Sequence, residues 1–323
     1  MTHAIEVTKH GGSDVLAWVE SSVGSPGPGQ VRIKSTAIGL NFIDVYLRSG
    51  LYPHETPFIP GKEGAGIVTE LGEGVSDLAV GDRVAYCSLM GTYSEELIAN
   101  VDYLAKLPDG ISDEVGAAIM LKGLTAHYLL HLTYPLKKGE TILFHAAAGG
   151  VGLIACQWAK EIGATVIGTV GSPEKAELAK ANGCDHTILY REENFVERVK
   201  EITGGAGVDV VYDSIGKDTF EQSLDCLKNR GMMVSFGNAT GPVSMPNLGI
   251  LAQKGALYVC RPTLFTYIDT PQAFRENCDA LFGMVESGKI DITIGQKFAL
   301  KDAAKAHDAL EGRATVGSTL LIP

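Results

Sequence analysis

The chain has 323 residues, with 27 Lys and Arg against 38 Asp and Glu, a formal net charge of −11, and 45% of its residues are apolar. That length exceeds one ordinary core and suits two domains, and the composition excludes a disordered or fibrous protein. An acidic balance without a basic run does not favour a surface built for nucleic acid or an anionic membrane.

In chain order, residues 4–7 and 16–20 read as paired strands, and the glycine and proline turn 24–30 precedes a strand that starts at Val31. The alternation in VRIKSTAIGLN predicts a half-buried strand running into a loop, followed by one or two helical turns over residues 41–50. Glycines alternate with a strand pattern from Gly61 to Val68, and Val80 to Ala85 reads as a turn entering a strand. Many short strands broken by glycine predict an irregular all-β domain.

From Ser112 the texture changes to helix, with one segment expected at 114–120 and another at 124–132. After Gly139, strands expected at 141–145, 165–170, 186–189, 208–213, 231–236 and 256–260 alternate with helices near 151–162, 174–182, 194–202 and 218–228. That alternation predicts an α/β domain with a doubly wound parallel six-stranded sheet. A helix from Pro271 to Gly288, a strand at 296–300, a helix at 301–312 and a strand at 318–322 finish the chain; they have no place in that sheet and are expected to return to the first domain.

The six cysteines are widely spread without a C-x-x-C pair, and read as buried free thiols rather than as zinc ligands or a disulfide framework. Met1 opens directly into Thr-His-Ala-Ile-Glu-Val without a charged-then-apolar leader, and no run of about 18 apolar residues follows, so a soluble cytoplasmic protein is expected.

The chemistry concentrates between Gly139 and Lys160. A short buried strand, a turn of small residues and an amphipathic helix lie over Ala147-Ala148-Gly149-Gly150-Val151-Gly152, a G-x-G-x-x-G frame with alanine for its first glycine. Gly149 and Gly150 would let backbone N–H groups at the helix start approach a pyrophosphate, and Gly152 would let the helix lie against the sheet. In a site for NAD, an acidic residue about 20 positions on holds the ribose 2′-OH. Here the next strand ends in Gly171-Ser172-Pro173-Glu174-Lys175, with no carboxylate at its tip. Ser172 and Lys175 suit a 2′-phosphate and therefore NADP(H), Lys175 being equally readable as a solvated helix lysine. Glu174, after Pro173, is expected to face solvent. The carboxyl ends at Asp213-Ser214 and Phe236-Gly237-Asn238 should border the cofactor, with Asp213 as a turn cap and His145 as ordinary packing.

The central stretch resembles the quinone oxidoreductase and zeta-crystallin signature of the zinc-free medium-chain dehydrogenases/reductases, at Gly139, Glu140, Leu143, residues 147–150, Gly152, Gln157 and Lys160. The likeness extends to residues 39–46, 50–53, 60–66 and 81–84. It implies a GroES-like β-rich catalytic domain over residues 1–122 and 263–323, a Rossmann domain over 123–262, NADPH in the cleft between them, and a homodimer formed largely through the Rossmann sheet edge.

The zinc alcohol dehydrogenases of the same superfamily carry metal ligands where this chain has Asn41, Lys62 and Leu121, so a metal alkoxide is not expected. The resemblance also places Tyr46 and Tyr52 near the nicotinamide and substrate, where they would donate a hydrogen bond or stack; packing at a domain edge is the alternative. Asn41 would be an amide contact or a loop cap, and Lys122, in Lys122-Gly123-Leu124-Thr125 between the domains, would reach the cofactor or bridge carbonyls. For the 2′-phosphate the resemblance implies Lys175, Tyr190 and Arg313. The expected activity is NADPH-dependent reduction of a quinone. The alternatives are an enoyl thioester or enone reductase with Tyr52 as proton donor, and a crystallin-like protein that binds NADPH or RNA without turnover.

Overall fold

A computed structural model describes residues 2–245 and 247–323. The chain divides into two compact units, the first running to Leu124 and resuming over Ile268–Glu286 and Ile292–Pro323, the second comprising Thr125–Tyr267 and Ser287–Asp291.

The first unit begins with β1 (Thr2–Val7) and β2 (Leu16–Ser21), an antiparallel pair, followed by β3 (Gln30–Leu40), β4 (Glu63–Leu71), β5 (Arg83–Cys87), β6 (Glu96–Asn100) and β7 (Leu104–Lys106). The second unit supplies β8 (Thr141–Phe144), β9 (Thr165–Val170), β10 (His186–Leu189), β11 (Val208–Asp213), β12 (Leu227–Ser235) and β13 (Tyr258–Cys260). The tail adds β14 (Ile294–Ala299) and β15 (Ser318–Ile322).

The tail strands join the first unit, as its sequence suggests: its seven-stranded sheet runs β14-β15-β3-β4-β5-β7, with β6 also paired to β3. The strand in VRIKSTAIGLN runs to Leu40 before any loop begins. Ile38 and Gly39 are held between β4 and β15, and the side chains of Ile38 and Leu40 pack with Ile5, Tyr93, Leu300 and Leu321. The helix α1 (Phe42–Ser49) starts at Asn41 and stops at Gly50, whose φ of 81° a side chain would strain.

The two helices expected at 114–120 and 124–132 are one run, α2 (Asp113–His127), which continues as a π-helical segment over Tyr128–Thr133. Gly123 does not break it; the methyls of Leu281 lie 2.6 and 2.7 Å from where its Cβ would be, so the glycine serves packing. Contrary to the sequence expectation, this 21-residue run is long and apolar enough to cross a membrane by length and composition; 72% of its most apolar stretch is buried inside the protein, as in a core helix.

The second unit's sheet is wholly parallel in the order β10-β9-β8-β11-β12-β13, the doubly wound order in which the connections reverse between β8 and β11. Helices α3 (Gly150–Ile162), α4 (Pro173–Ala181), α5 (Phe195–Ile202) and α6 (Phe220–Leu224) connect its strands. Leu143, Ile167, Ile188, Val211 and Met233 pack with Phe195, Val199 and Leu224. Helix α6 is shorter than expected at 218–228, because β12 already begins at Leu227, drawn into the sheet opposite Val208.

Candidate active site

In the second unit the turn after β8 is built around Ala146, which is left-handed at φ 54°. Its carbonyl accepts the Gly149 N–H at 2.9 Å and lies against Gly152, whose Cβ, if present, would strike that oxygen and come within 2.6 Å of the Ala147 carbonyl. Helix α3 can therefore start this close to the strand tip only with glycine there. Its first N–H groups have no intrahelical partner, and the half-buried Gly149, Gly150 and Val151 leave them a place to meet an anion. Ala148 is buried beside them.

The end of β9 carries the next group of candidates. Ser172 caps α4, its Oγ accepting the Lys175 N–H at 3.4 Å. Its hydroxyl also holds the exposed Glu174 carboxyl below the ordinary carboxylate range. The Tyr190 hydroxyl would lie 3.1 Å from a Cβ on Gly171, so Gly171, Ser172, Lys175 and Tyr190 come together at one strand end. At the ends of β11 and β12, Ser214 and Gly237 are packed so closely that a Cβ on Gly237 would meet the Ser214 carbonyl at 2.5 Å. Phe236 donates its N–H to the Asp213 carbonyl at 2.8 Å, and its ring lies 5.8 Å from that of Phe144. Asn238 is buried in the same corner, and its carbonyl accepts the Gly241 N–H at 2.9 Å. Thr125, buried near the end of α2, also belongs to this unit.

The first unit holds the other candidates. Glu63 is fully buried opposite Gly39 across the β3–β4 ladder, and its carboxylate fills the space of a Gly39 side chain. One oxygen, Oε1, accepts from the Asn41 amide at 2.8 Å and pairs with the Lys122 ammonium; the other accepts the Leu121 N–H at 2.6 Å. Asn41 turns its remaining amide hydrogen toward the Gly39 carbonyl at 3.4 Å. It is thus both the start of α1 and a hydrogen-bond partner of Glu63, while Lys122 neutralises that buried carboxylate.

Beyond Asn41 lies a polar network with few sequence signals. The Asp44 carboxylate accepts the Asn41 N–H at 2.9 Å and the Tyr93 hydroxyl at 3.1 Å, while its other oxygen is buried without a hydrogen bond. Burial pushes Asp44 up to about 7, against the pull of its hydrogen bonds. The Tyr93 hydroxyl is 3.1 Å from His307 Nε2, and His307 Nδ1 is 3.1 Å from an Arg48 guanidinium that forks onto Glu311 at 2.9 and 3.0 Å. Burial drives His307 down to about 3, so the neutral ring accepts from Arg48. Sequence reading misses this chain of groups because its members are spread from residue 44 to residue 311.

Tyr46 and Tyr52 do meet, with ring centres 5.1 Å apart and the Tyr52 N–H donated to the Tyr46 carbonyl at 3.0 Å. Tyr46 is buried and Tyr52 half-buried. Arg313 is exposed in the tail, left-handed at φ 59°. The cysteines are free, and all but the half-buried Cys260 are buried. Sequence reading also passes over a His-x-x-x-His spacing at His127 and His131. Their rings are 4.9 Å apart and each packs on Trp158, and burial drives His131 down to about 4. Among the described residues no group of three or more His, Cys, Asp or Glu is arranged to hold a metal ion.

Comparison with known proteins gives this geometry its context. The family described as alcohol dehydrogenase GroES-like domain matches residues 27–109, and that described as zinc-binding dehydrogenase matches residues 150–276. A quinone oxidoreductase of Pseudomonas aeruginosa is 55% identical, with the whole of both chains covered. A 2-haloacrylate reductase of Burkholderia is 47% identical over 100% of this chain and 99% of its own. The crystal structure of Escherichia coli quinone oxidoreductase complexed with NADPH superimposes with a TM-score of 0.97 at 54% identity, covering 99% of this chain and 100% of that one. The chain therefore belongs to the quinone oxidoreductase family of medium-chain dehydrogenases/reductases, and is an oxidoreductase with a GroES-like unit and a Rossmann-like unit.

Proposed function

We propose that the chain is an NADPH-dependent quinone reductase that works without zinc. The observation that carries the reading is the glycine-lined turn at residues 146–152 on a doubly wound sheet, in a chain so similar throughout to a quinone oxidoreductase whose structure holds NADPH. The residues present fit that cofactor. The first turn of α3 offers N–H groups to a pyrophosphate. Ser172, Lys175 and Tyr190 surround the end of β9 without a buried carboxylate, which suits a 2′-phosphate.

A zinc ion does not fit the positions that bind it in the alcohol dehydrogenases. Asn41 is committed to Glu63, Lys62 is a cation, and Leu121 offers only a backbone group that Glu63 already takes.

NADPH, when bound, supplies the hydride. The chain's own part is to orient the acceptor and receive its developing negative charge. A quinone becomes aromatic on reduction and needs little activation, so orientation and one hydrogen bond suffice. The Tyr46 and Tyr52 pair supplies aromatic faces and phenolic donors for that purpose. Asn41 contributes by fixing the start of α1, from which Tyr46 projects.

The likeness to 2-haloacrylate reductase favours a second reading, addition of hydride to an activated alkene with Tyr52 protonating the neighbouring carbon. NADPH oxidation with 1,4-benzoquinone and with a crotonyl thioester or 2-chloroacrylate, in wild type and Tyr52→Phe, separates the two. A quinone reductase keeps most of its activity in the variant; an alkene reductase loses it. Lys175→Ala raises the Michaelis constant for NADPH far more than that for NADH, and an equal effect on both would place the phosphate elsewhere. We further propose that the chain acts in the cytoplasm as a homodimer joined along β13, which among the described residues is an edge strand paired only to β12 and leaves Tyr258 exposed.

A further inference from the structure

His145 stands between the end of β8 and the left-handed Ala146, and the reaction outlined above makes no use of it. Its ring is buried, with Nδ1 2.9 Å from the Thr169 hydroxyl at the end of β9 and Nε2 2.9 Å from the Ser223 hydroxyl on α6. Ser223 Oγ in turn donates to Asp213 Oδ2 at 3.3 Å, at the end of β11. Asp213 also accepts from the Thr219 hydroxyl at 2.6 Å and from the N–H groups of Ile215 and Gly216 at 2.7 and 3.1 Å.

These partners fix the tautomer. A carboxylate that accepts four donors carries no proton to give back, so the single hydrogen of Ser223 goes to Asp213. Ser223 must then accept from His145 Nε2–H, which leaves Nδ1 bare to accept from Thr169. One neutral ring thus ties together the carboxyl ends of β8, β9 and β11, the three strands at the reversal of the sheet. The ring also meets Phe195 of α5 edge-on at 5.1 Å, and burial lowers its basicity while Asp213 opposes that.

The main chain on either side is pinned as well. The His145 N–H goes to the Tyr212 carbonyl at 3.0 Å and the Ala147 N–H to the Thr169 carbonyl at 3.1 Å. Between these two anchors lies Ala146, whose left-handed backbone is strained for an L residue and persists only where its surroundings force it. Its carbonyl is the atom on which Gly149 and Gly152 close.

We propose that His145 is a positioning residue for the dinucleotide turn, holding three strand ends in register so that Ala146 stays left-handed and the first turn of α3 faces the pyrophosphate. As regards the ligand, the proposal rests on the reading that the turn binds NADPH.

The test uses the full-length protein and two measurements: amide hydrogen exchange across residues 146–152 without ligand, and fluorescence titration with NADPH. His145→Ala exchanges at least tenfold faster across the turn and binds NADPH about tenfold more weakly. Adding Ala146→Gly, which lets the left-handed turn form without strain, restores most of the affinity but not the urea midpoint. A purely structural histidine would give the opposite pattern, losing or recovering affinity and midpoint together. Unchanged exchange in folded His145→Ala, or no recovery in the double variant, overturns the proposal.

If His145→Ala does not fold, the nitrogen chemical shifts of the wild-type ring decide: a neutral ring protonated on Nε2 supports the proposal, and a charged ring or one protonated on Nδ1 overturns it. If the turn loosens in the variant while the wild type binds no NADPH, the positioning role stands and the cofactor assignment falls.

Discussion

Two buried regions of this molecule are organised on opposite physical terms. Around Glu63, the first unit takes charge out of water and cancels it: a carboxylate with no exposure meets a nearly buried ammonium, and a few residues away Arg48 and Asp44 are fully enclosed. Around Ala146, the second unit uses missing atoms, since Gly149 and Gly152 matter for the Cβ they lack. The first arrangement is costly to break from one side only, because the surviving charge has no water to turn to. The second is broken by adding a few carbon atoms. Buried charge fixes a place rigidly; removed side chains leave backbone groups available to a ligand.

The largest expected effect tests the charged region. Glu63→Leu leaves Lys122 unpaired and should cost about 3–5 kcal/mol in urea unfolding, whereas Glu63→Leu with Lys122→Met should recover most of it. Equal losses in the single and double variants would mean that the pair is not the unit of stability. Next comes the glycine region. Gly152→Val forces the helix start off the Ala146 carbonyl and should weaken NADPH binding about 100-fold, close to 2.7 kcal/mol, with little change in the circular dichroism of the folded protein. Retained affinity would show that close approach of α3 is dispensable.

The smallest expected effect sharpens the contrast through pH. Burial raises the Asp44 carboxyl from 3.8 to about 7, so the folded protein holds a proton that the unfolded chain releases. The associated stability is complete below the unfolded value and is lost as pH rises through about 7. Between pH 5 and pH 7 wild type should therefore lose about 2 kcal/mol relative to Asp44→Asn, measured by urea unfolding across that range. Parallel curves for the two proteins would mean that Asp44 is ionised in the fold throughout.

Local signals were legible because the atoms that cause them are neighbours in sequence. The strand, turn and helix of residues 141–162 and the six alternating strands follow from periodicity and small residues within about twenty positions. Where reading failed locally, distant packing was the cause. The strand in VRIKSTAIGLN is carried to Leu40 by β4 and β15, and the break expected between residues 120 and 124 is continuous helix, with Leu281 packed against Gly123.

The chain's own letters determined its two-part organisation, the dinucleotide-type turn and the absence of zinc-type ligands at Asn41, Lys62 and Leu121. Tertiary structure alone decided that Asn41 and Lys122 converge on Glu63, that Asp44, Tyr93, His307, Arg48 and Glu311 form one hydrogen-bonded series, and that His145 clasps three strand ends. The physical reason is range. Backbone conformation answers to residues a few positions away, whereas a buried charge or imidazole is defined by whichever groups the fold carries to within about 3 Å of it, and no spacing along the chain encodes that.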